Sequence, residues 1–204
     1  MDRADKSLDQ EKDWIARVQS GDNEAFESLV KQHQRLVYAV ALRMLGDAHE
    51  AQEIAQDAFV RAYEGLKGFR GQSKFSTWLV TITMNLCRNR RRSYARRSKH
   101  IAASLDEPIG EGQDQTLRDQ IADETPGPLD QAQKREWQQL INGALQELDM
   151  DHRSVLVMRD LHGMRYEEIA AALCCPEGTV KSRINRARLQ LRDILKGMGW
   201  ETAG

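Results

Sequence analysis

Residues 166–189 read YEEIAAALCCPEGTVKSRINRARL, and the reading of this stretch decides the fold. Ile169, Ala170 and Leu173 lay an apolar stripe at i, i+1 and i+4 along a first short helix. Pro176 cannot continue that helix, but it is tolerated at the start of the next one. From Gly178 onward there are five Lys or Arg and no acid before Asp193. Two helices, a tight turn between them and a basic second helix suit a helix-turn-helix whose second helix enters the DNA major groove.

The angular pattern points the same way. At about 100° per residue, Val180, Ile184, Ala187 and Leu191 gather on one side of the second helix. Lys181, Ser182, Asn185 and Arg186 fall on the other side, with Arg183 and Arg188 on the flanks. These exposed types bond base edges and phosphates. A merely solvated helix would interleave Glu with Lys and Arg for i, i+4 pairing, and those acids are missing here. DNA contact is the stronger reading.

The chain has 204 residues, room for one ordinary domain or two small ones. Apolar residues make up 40% and charged residues 30%, the balance of a soluble globular protein rather than a membrane-embedded one. A net charge of −1 looks unsuited to a nucleic-acid binder, but the average hides segregation. Residues 88–99 (RNRRRSYARRSK) carry seven positive charges and no negative one, whereas residues 105–130 carry eight acids and one Arg. Opposed blocks suggest a basic binding face beside an acidic linker. The start, MDRADKSLDQEKDW, lacks an apolar signal core, and no apolar run approaches membrane length, so a cytoplasmic location is expected. Cys87, Cys174 and Cys175 form no CxxC pair and no disulfide framework, which indicates neither metal nor cofactor.

The periodicity predicts an all-α protein of two small helical domains. The first module, residues 9–97, holds four helices: one from near Asp9 to Ser20, one from Asn23 to Leu45, one from Ala48 to about Leu66, and one from near Ser76 into the arginines. Residues 98–128 are acidic and contain Pro108, Pro126 and Pro128. Too few large apolar groups remain there to offset the entropy of ordering, so a flexible tether is expected, with one short helical piece near Leu117–Ile121. A second helical module, residues 129–197, ends in the helix-turn-helix.

With the modules placed, three stretches resemble the extracytoplasmic-function group of bacterial sigma factors, within the sigma-70 family. They are GDNEAFESLVKQH (21–33), EAQEIAQDAFVRAYEGLKGFRGQSKFSTWL (50–79) and LQELDMDHRSVLVMRDLHGMRYEEIAAALCCPEGTVKSRINRAR (145–188). The resemblance covers nearly the whole chain. It implies sigma regions 2 and 4 joined by a linker, in a protein that binds core RNA polymerase and directs promoter-specific transcription initiation. By resemblance, Glu53, Gln56, Asp57 and Arg61 meet the coiled coil of the polymerase clamp, and the second module meets the flap. Gln72, Ser73, Lys74, Phe75, Asn85 and Arg88 read and open the −10 element. Lys181, Ser182, Asn185 and Arg186 read the −35 duplex, with Tyr166, Glu167 and Arg188 holding that module on DNA. An anti-sigma partner is implied too, and no small-molecule ligand.

Some alternatives stay open on the residues alone. Phe69 and Phe75 suit either base stacking or core packing, while Trp78 reads as core. Cys174 stands in the turn where many helix-turn-helix units place Gly, so it must strain the backbone or adopt a different turn. The acidic linker suits a plain tether or a mimic of nucleic acid within the polymerase. The main rival function is a conventional regulator that binds duplex DNA alone, against which AQDAFVRAY (55–63) and FSTWL (75–79) argue. Enzyme chemistry has little support: His49-Glu50-Ala51-Gln52-Glu53 lacks the second His of a zinc protease motif, and GTVKS at Gly178 lacks the Gly-Lys step of a phosphate loop.

Overall fold

A computed structural model describes residues 3–102 and 128–200, with side chains for 9–97 and 136–200. The middle of the expected tether and its short helix at Leu117–Ile121 lie outside the described residues. Among the described residues all regular structure is helical. Helices α1 (Arg3–Gln19), α2 (Glu24–Leu45), α3 (Ala48–Gly65) and α4 (Phe75–Ala102) form the first module. The second contains α5 (Pro128–Gln146), α6 (Met150–Leu156), α7 (Tyr166–Leu173) and α8 (Glu177–Gly197). Helix α6 runs into a π-helical turn, Val157–Leu161. Two expected ends move outward: α1 begins six residues before Asp9, and α4 continues past the expected boundary at 97.

Local chemistry sets the breaks. Gly46, at φ +81°, ends α2 in a left-handed turn and donates its N–H to the Leu42 carbonyl. Asp47 then caps α3 by accepting from the Glu50 N–H at 2.7 Å. Asp149 caps α6 through the N–H groups of Asp151 and His152, at 3.0 and 2.9 Å.

One core lies inside the first module, where Leu29, Val37, Ala58, Leu66, Phe75 and Leu79 are buried together. Helix α1 is fastened over it by polar contacts. The buried His33 Nε2 donates to the Glu11 carboxylate at 2.7 Å, and the Gln19 amide donates to the Leu66 and Phe69 carbonyls at 2.9 Å each. The second core is shared. Val40, Ala41, Met44, Ile54, Met84 and Cys87 of the first module join Leu145, Leu148, Val155, Leu156 and Ile169 of the second in one buried cluster. The two expected modules are therefore present, but they are packed against each other.

A buried guanidinium sits at this junction. Arg153, 1% exposed, donates to the Met44 carbonyl at 2.6 Å, to the Gln146 and Leu148 carbonyls at 2.6 and 2.9 Å, and to the Gln146 side-chain oxygen. Gln146 in turn donates its amide to the Arg43 carbonyl at 2.9 Å. Two last-turn carbonyls of α2, those of Arg43 and Met44, are thus satisfied from the other module. Burial pushes the Arg153 pKa down to about 10, which still leaves it charged at neutral pH.

The turn between α7 and α8 takes the strained option. Cys174 adopts φ +51°, ψ +48°, the sole non-Gly positive φ among the described residues. A left-handed conformation costs a residue with a Cβ roughly 1 kcal/mol. Replacing Cys174 with Gly should therefore raise stability by up to about 1 kcal/mol, less the backbone freedom that Gly gains when unfolded. A urea titration checks this; a marked drop in midpoint would mean that the thiol contributes more than its conformation costs.

Candidate nucleic-acid interface

Helix α8 is held by its apolar side, as its sequence predicts. Val180, Ile184 and Ala187 are buried, while Lys181, Ser182, Asn185 and Arg186 are exposed. The four candidate reading residues thus share one accessible face about a turn and a half long, a width that fits a major groove. Ser182 currently donates to the Thr179 carbonyl at 2.9 Å, an exposed bond that competes weakly with DNA. Tyr166 is half-buried and lies under two cations: the Arg159 guanidinium at 4.7 Å and the Lys181 ammonium at 5.6 Å from its ring centre. Both fall within cation–π range, so the ring steers Lys181 at the N-terminal end of α8. Glu167 is exposed beside it.

Other candidate cations are already engaged. Arg188 forms a two-pronged ion pair with Asp160, with Nε donating at 3.0 Å, and that contact raises its pKa. Arg88, expected to meet the −10 strand, is only 16% exposed in its side chain and pairs with Asp151 at 3.3 Å. The other carboxylate oxygen of Asp151 takes Arg183 of α8 at 3.0 Å. Sequence reasoning did not find Asp151. A single acid in the first turn of a helix reads as ordinary dipole compensation, and nothing local signals partners 63 residues upstream and 32 downstream.

In the first module, Gln72, Lys74 and Asn85 are exposed and Ser73 is partly so. The basic end of α4 exposes Arg91, Arg92, Arg96 and Arg97. Phe75 requires a correction. It is 1% exposed and packs edge-on against His33 and Phe69, with ring centres 5.3 and 5.8 Å apart, so it is core and cannot stack a base. Trp78 is half-buried, tilted over Phe69 at 5.0 Å. These rings together brace the loop that carries Gln72 to Lys74.

The candidate polymerase-facing residues share the outer side of α3. Gln56, Asp57 and Arg61 are exposed, opposite buried Ile54, Ala58 and Ala62. Glu53 differs: it accepts from Arg90 of α4 at 2.8 Å, which holds its carboxyl below the usual range. Val60 and Tyr63 add exposed apolar surface to the same helix. Cys87 lies on the buried face of α4, and desolvation pushes its thiol up to about 12, which leaves it unreactive.

Comparison with known proteins fits this geometry. Sigma-70 region 2 matches residues 29–97, and Sigma-70 region 4 matches residues 138–191. The RNA polymerase sigma-H factor of Pseudomonas aeruginosa is 37% identical over 180 residues, covering 88% of this chain and 91% of that protein. The ECF RNA polymerase sigma-E factor of Escherichia coli is 35% identical over 176 residues, covering 85% and 88%. This chain belongs to the extracytoplasmic-function group of sigma factors. It is therefore a sigma factor, a protein that binds core RNA polymerase and directs promoter-specific transcription initiation. Among solved structures, a sigma factor in complex with the anti-sigma factor NepR from Bartonella quintana shares the fold. Its TM-score is 0.61 at 24% identity, over 84% of this chain and 96% of that one. CnrH in complex with the cytosolic domain of CnrY gives 0.60 at 25% identity, over 92% and 98%.

In this sigma factor the buried Phe75 and the exposed Asn85 should differ in what their removal costs the fold. Phe75→Ala should lower unfolding stability by about 3–5 kcal/mol, the usual cost of emptying an aromatic core site. Asn85→Ala, at an exposed position, should stay within about 0.5 kcal/mol of wild type. Urea midpoints test both; an unchanged midpoint for Phe75→Ala would return that ring to the list of stacking candidates.

Proposed function

We propose the following division of labour within this sigma factor. Residues 9–97 form the polymerase-docking and −10 module, in which Glu53, Gln56, Asp57 and Arg61 meet the clamp coiled coil of the core enzyme. Gln72, Ser73, Lys74, Asn85 and Arg88 contact the −10 strand, with Phe75 bracing their loop from beneath. Residues 129–197 form the −35 module, which also meets the flap. Lys181, Ser182, Asn185 and Arg186 enter the major groove there, while Tyr166, Glu167 and Arg188 fix its orientation.

The observation that carries this reading is the two-sided character of α8. Lys181, Ser182, Asn185 and Arg186 are all exposed, and the residues that hold the helix, Val180, Ile184 and Ala187, are all buried. Arg186 is suited to bidentate bonding to guanine, whereas Lys181 is suited to a phosphate as a point charge. The protein acts by positioning polymerase and performs no catalysis of its own. One solved neighbour is a sigma factor in complex with an anti-sigma factor, and CnrH is likewise in complex with a partner, the cytosolic domain of CnrY, which supports an anti-sigma partner for this chain. No helix among the described residues is long and apolar enough to cross a membrane, in keeping with action on DNA in the cytoplasm.

The two substitutions should be distinguishable. Arg186→Ala should relax preference at one base pair by about 1–3 kcal/mol, while Lys181→Ala should weaken all sequences alike and lower the salt slope by about one. Transcription and duplex binding measured across a panel of −35 variants at several salt concentrations report both effects. Unchanged −35 dependence in both variants would place the reading face elsewhere.

A further inference from the structure

The loop that carries Gln72, Ser73 and Lys74 is held by its ends. Among the described residues, its backbone hydrogen bonds stop where the Phe69 N–H donates to the Leu66 carbonyl at 3.0 Å. They resume where the Trp78 N–H donates to the Lys74 carbonyl at 3.1 Å. Between these points Gly71 takes φ +67°, and the Ser73 hydroxyl donates to the Lys74 carbonyl at 3.3 Å. A segment with so little bonding of its own takes its position from whatever anchors it.

Both anchors lead to α1, which lies wholly before the residues that match Sigma-70 region 2. At the leading end, the Gln19 side-chain amide spans the Leu66 and Phe69 carbonyls, at 2.9 Å each. An amide NH2 places two donors on one planar group, so the carbonyls it spans are fixed relative to each other. At the trailing end, Glu11 accepts from the buried His33 at 2.7 Å and from Gln32 at 3.2 Å. The His33 ring meets the edge of Phe75, the first residue of α4, at 5.3 Å between centres. Glu11 and Gln19 are two turns apart on one helix, about 12 Å along its axis. A single rigid element therefore grips both ends of the loop. Gln19 is exposed, so its loss leaves the apolar core intact.

We propose that α1 is a positioning element for −10 recognition, with Gln19 as a positioning residue. Gln19 holds the leading end of the loop so that Gln72, Ser73 and Lys74 meet the unpaired strand in one geometry. It acts through the loop rather than on DNA. The proposal rests on the reading of that loop given above, and it adds a residue outside region 2 to the determinants of promoter choice.

The test uses the full chain with core polymerase and a pool of duplex promoters randomised at both elements, each with its own transcribed barcode. Sequencing the transcripts gives every base preference as a ratio within one sample, and such ratios do not depend on how much of the protein is folded. Gln19→Ala should reduce the strongest −10 preference about tenfold, the scale of effect expected when a contact group is displaced, and leave −35 preferences within about twofold of wild type. Gln19→Glu keeps the side-chain length but replaces the donor with an acceptor, and should flatten the −10 preferences at least as much. Lys12→Ala, at an exposed α1 position paired with Asp9, should change neither element.

Unchanged −10 preferences in Gln19→Ala, or equal flattening at both elements, would overturn the positioning role. If Gln72→Ala and Lys74→Ala also left the −10 preferences intact, the reading of the loop itself would fall. Strong dependence on Gln72 and Lys74 with indifference to Gln19 would remove this proposal alone.

Discussion

The arrangement of the two modules depends on one buried charge. Arg153 is sealed from water, and no carboxylate is among its hydrogen-bond partners. Its charge is balanced by carbonyl dipoles at the ends of α2 and α5. Helix C-termini carry partial negative charge and leave their last carbonyls unpaired, so a guanidinium fork satisfies several at once. The exchange is mutual: without the Arg, buried carbonyls lose their donors; without the carbonyls, a buried cation has no compensation. Because Met44 lies in one module and Leu148 in the other, this local requirement also sets how the modules meet.

Around that point the molecule separates occupied cations from available ones. Arg88, Arg90, Arg183 and Arg188 each sit on an acid from another element. Lys181, Arg186 and the arginines at the end of α4 face solvent. The near-neutral total charge of the chain has a structural counterpart here, since acids are placed on arginines at the junction and withheld from the outer face of α8. Electrostatic reach towards DNA is therefore concentrated on part of the surface rather than spread over it.

Most of the fold was legible in the sequence because it rests on local signals. Gly46-Asp47 combines a left-handed turn with an N-cap, so the α2–α3 break could be placed to the residue. The 3.6-residue period of Val180, Ile184 and Ala187 fixed which side of α8 is buried. Phe75 was harder to place. An aromatic at a helix start serves equally well to stack a base or to fill a core, and only the His33 and Phe69 rings around it decide the matter. The junction was not legible at all. Arg153 and Gln146 read as common polar residues on helices, and their partners Met44 and Arg43 lie more than 100 residues away as backbone carbonyls, which carry no sequence signature. Asp151 was hidden for the same reason.

The most direct test of this account is calorimetry of the intact wild-type chain. If the shared core and Arg153 join the modules into one body, unfolding should be a single transition whose calorimetric and van't Hoff enthalpies agree. Arg153→Met, which removes the cross-module bond to Met44, should divide that transition or lower it for the second module first. Two independent transitions in the wild-type protein would contradict the account, because they would mean that neither module draws stability from the other.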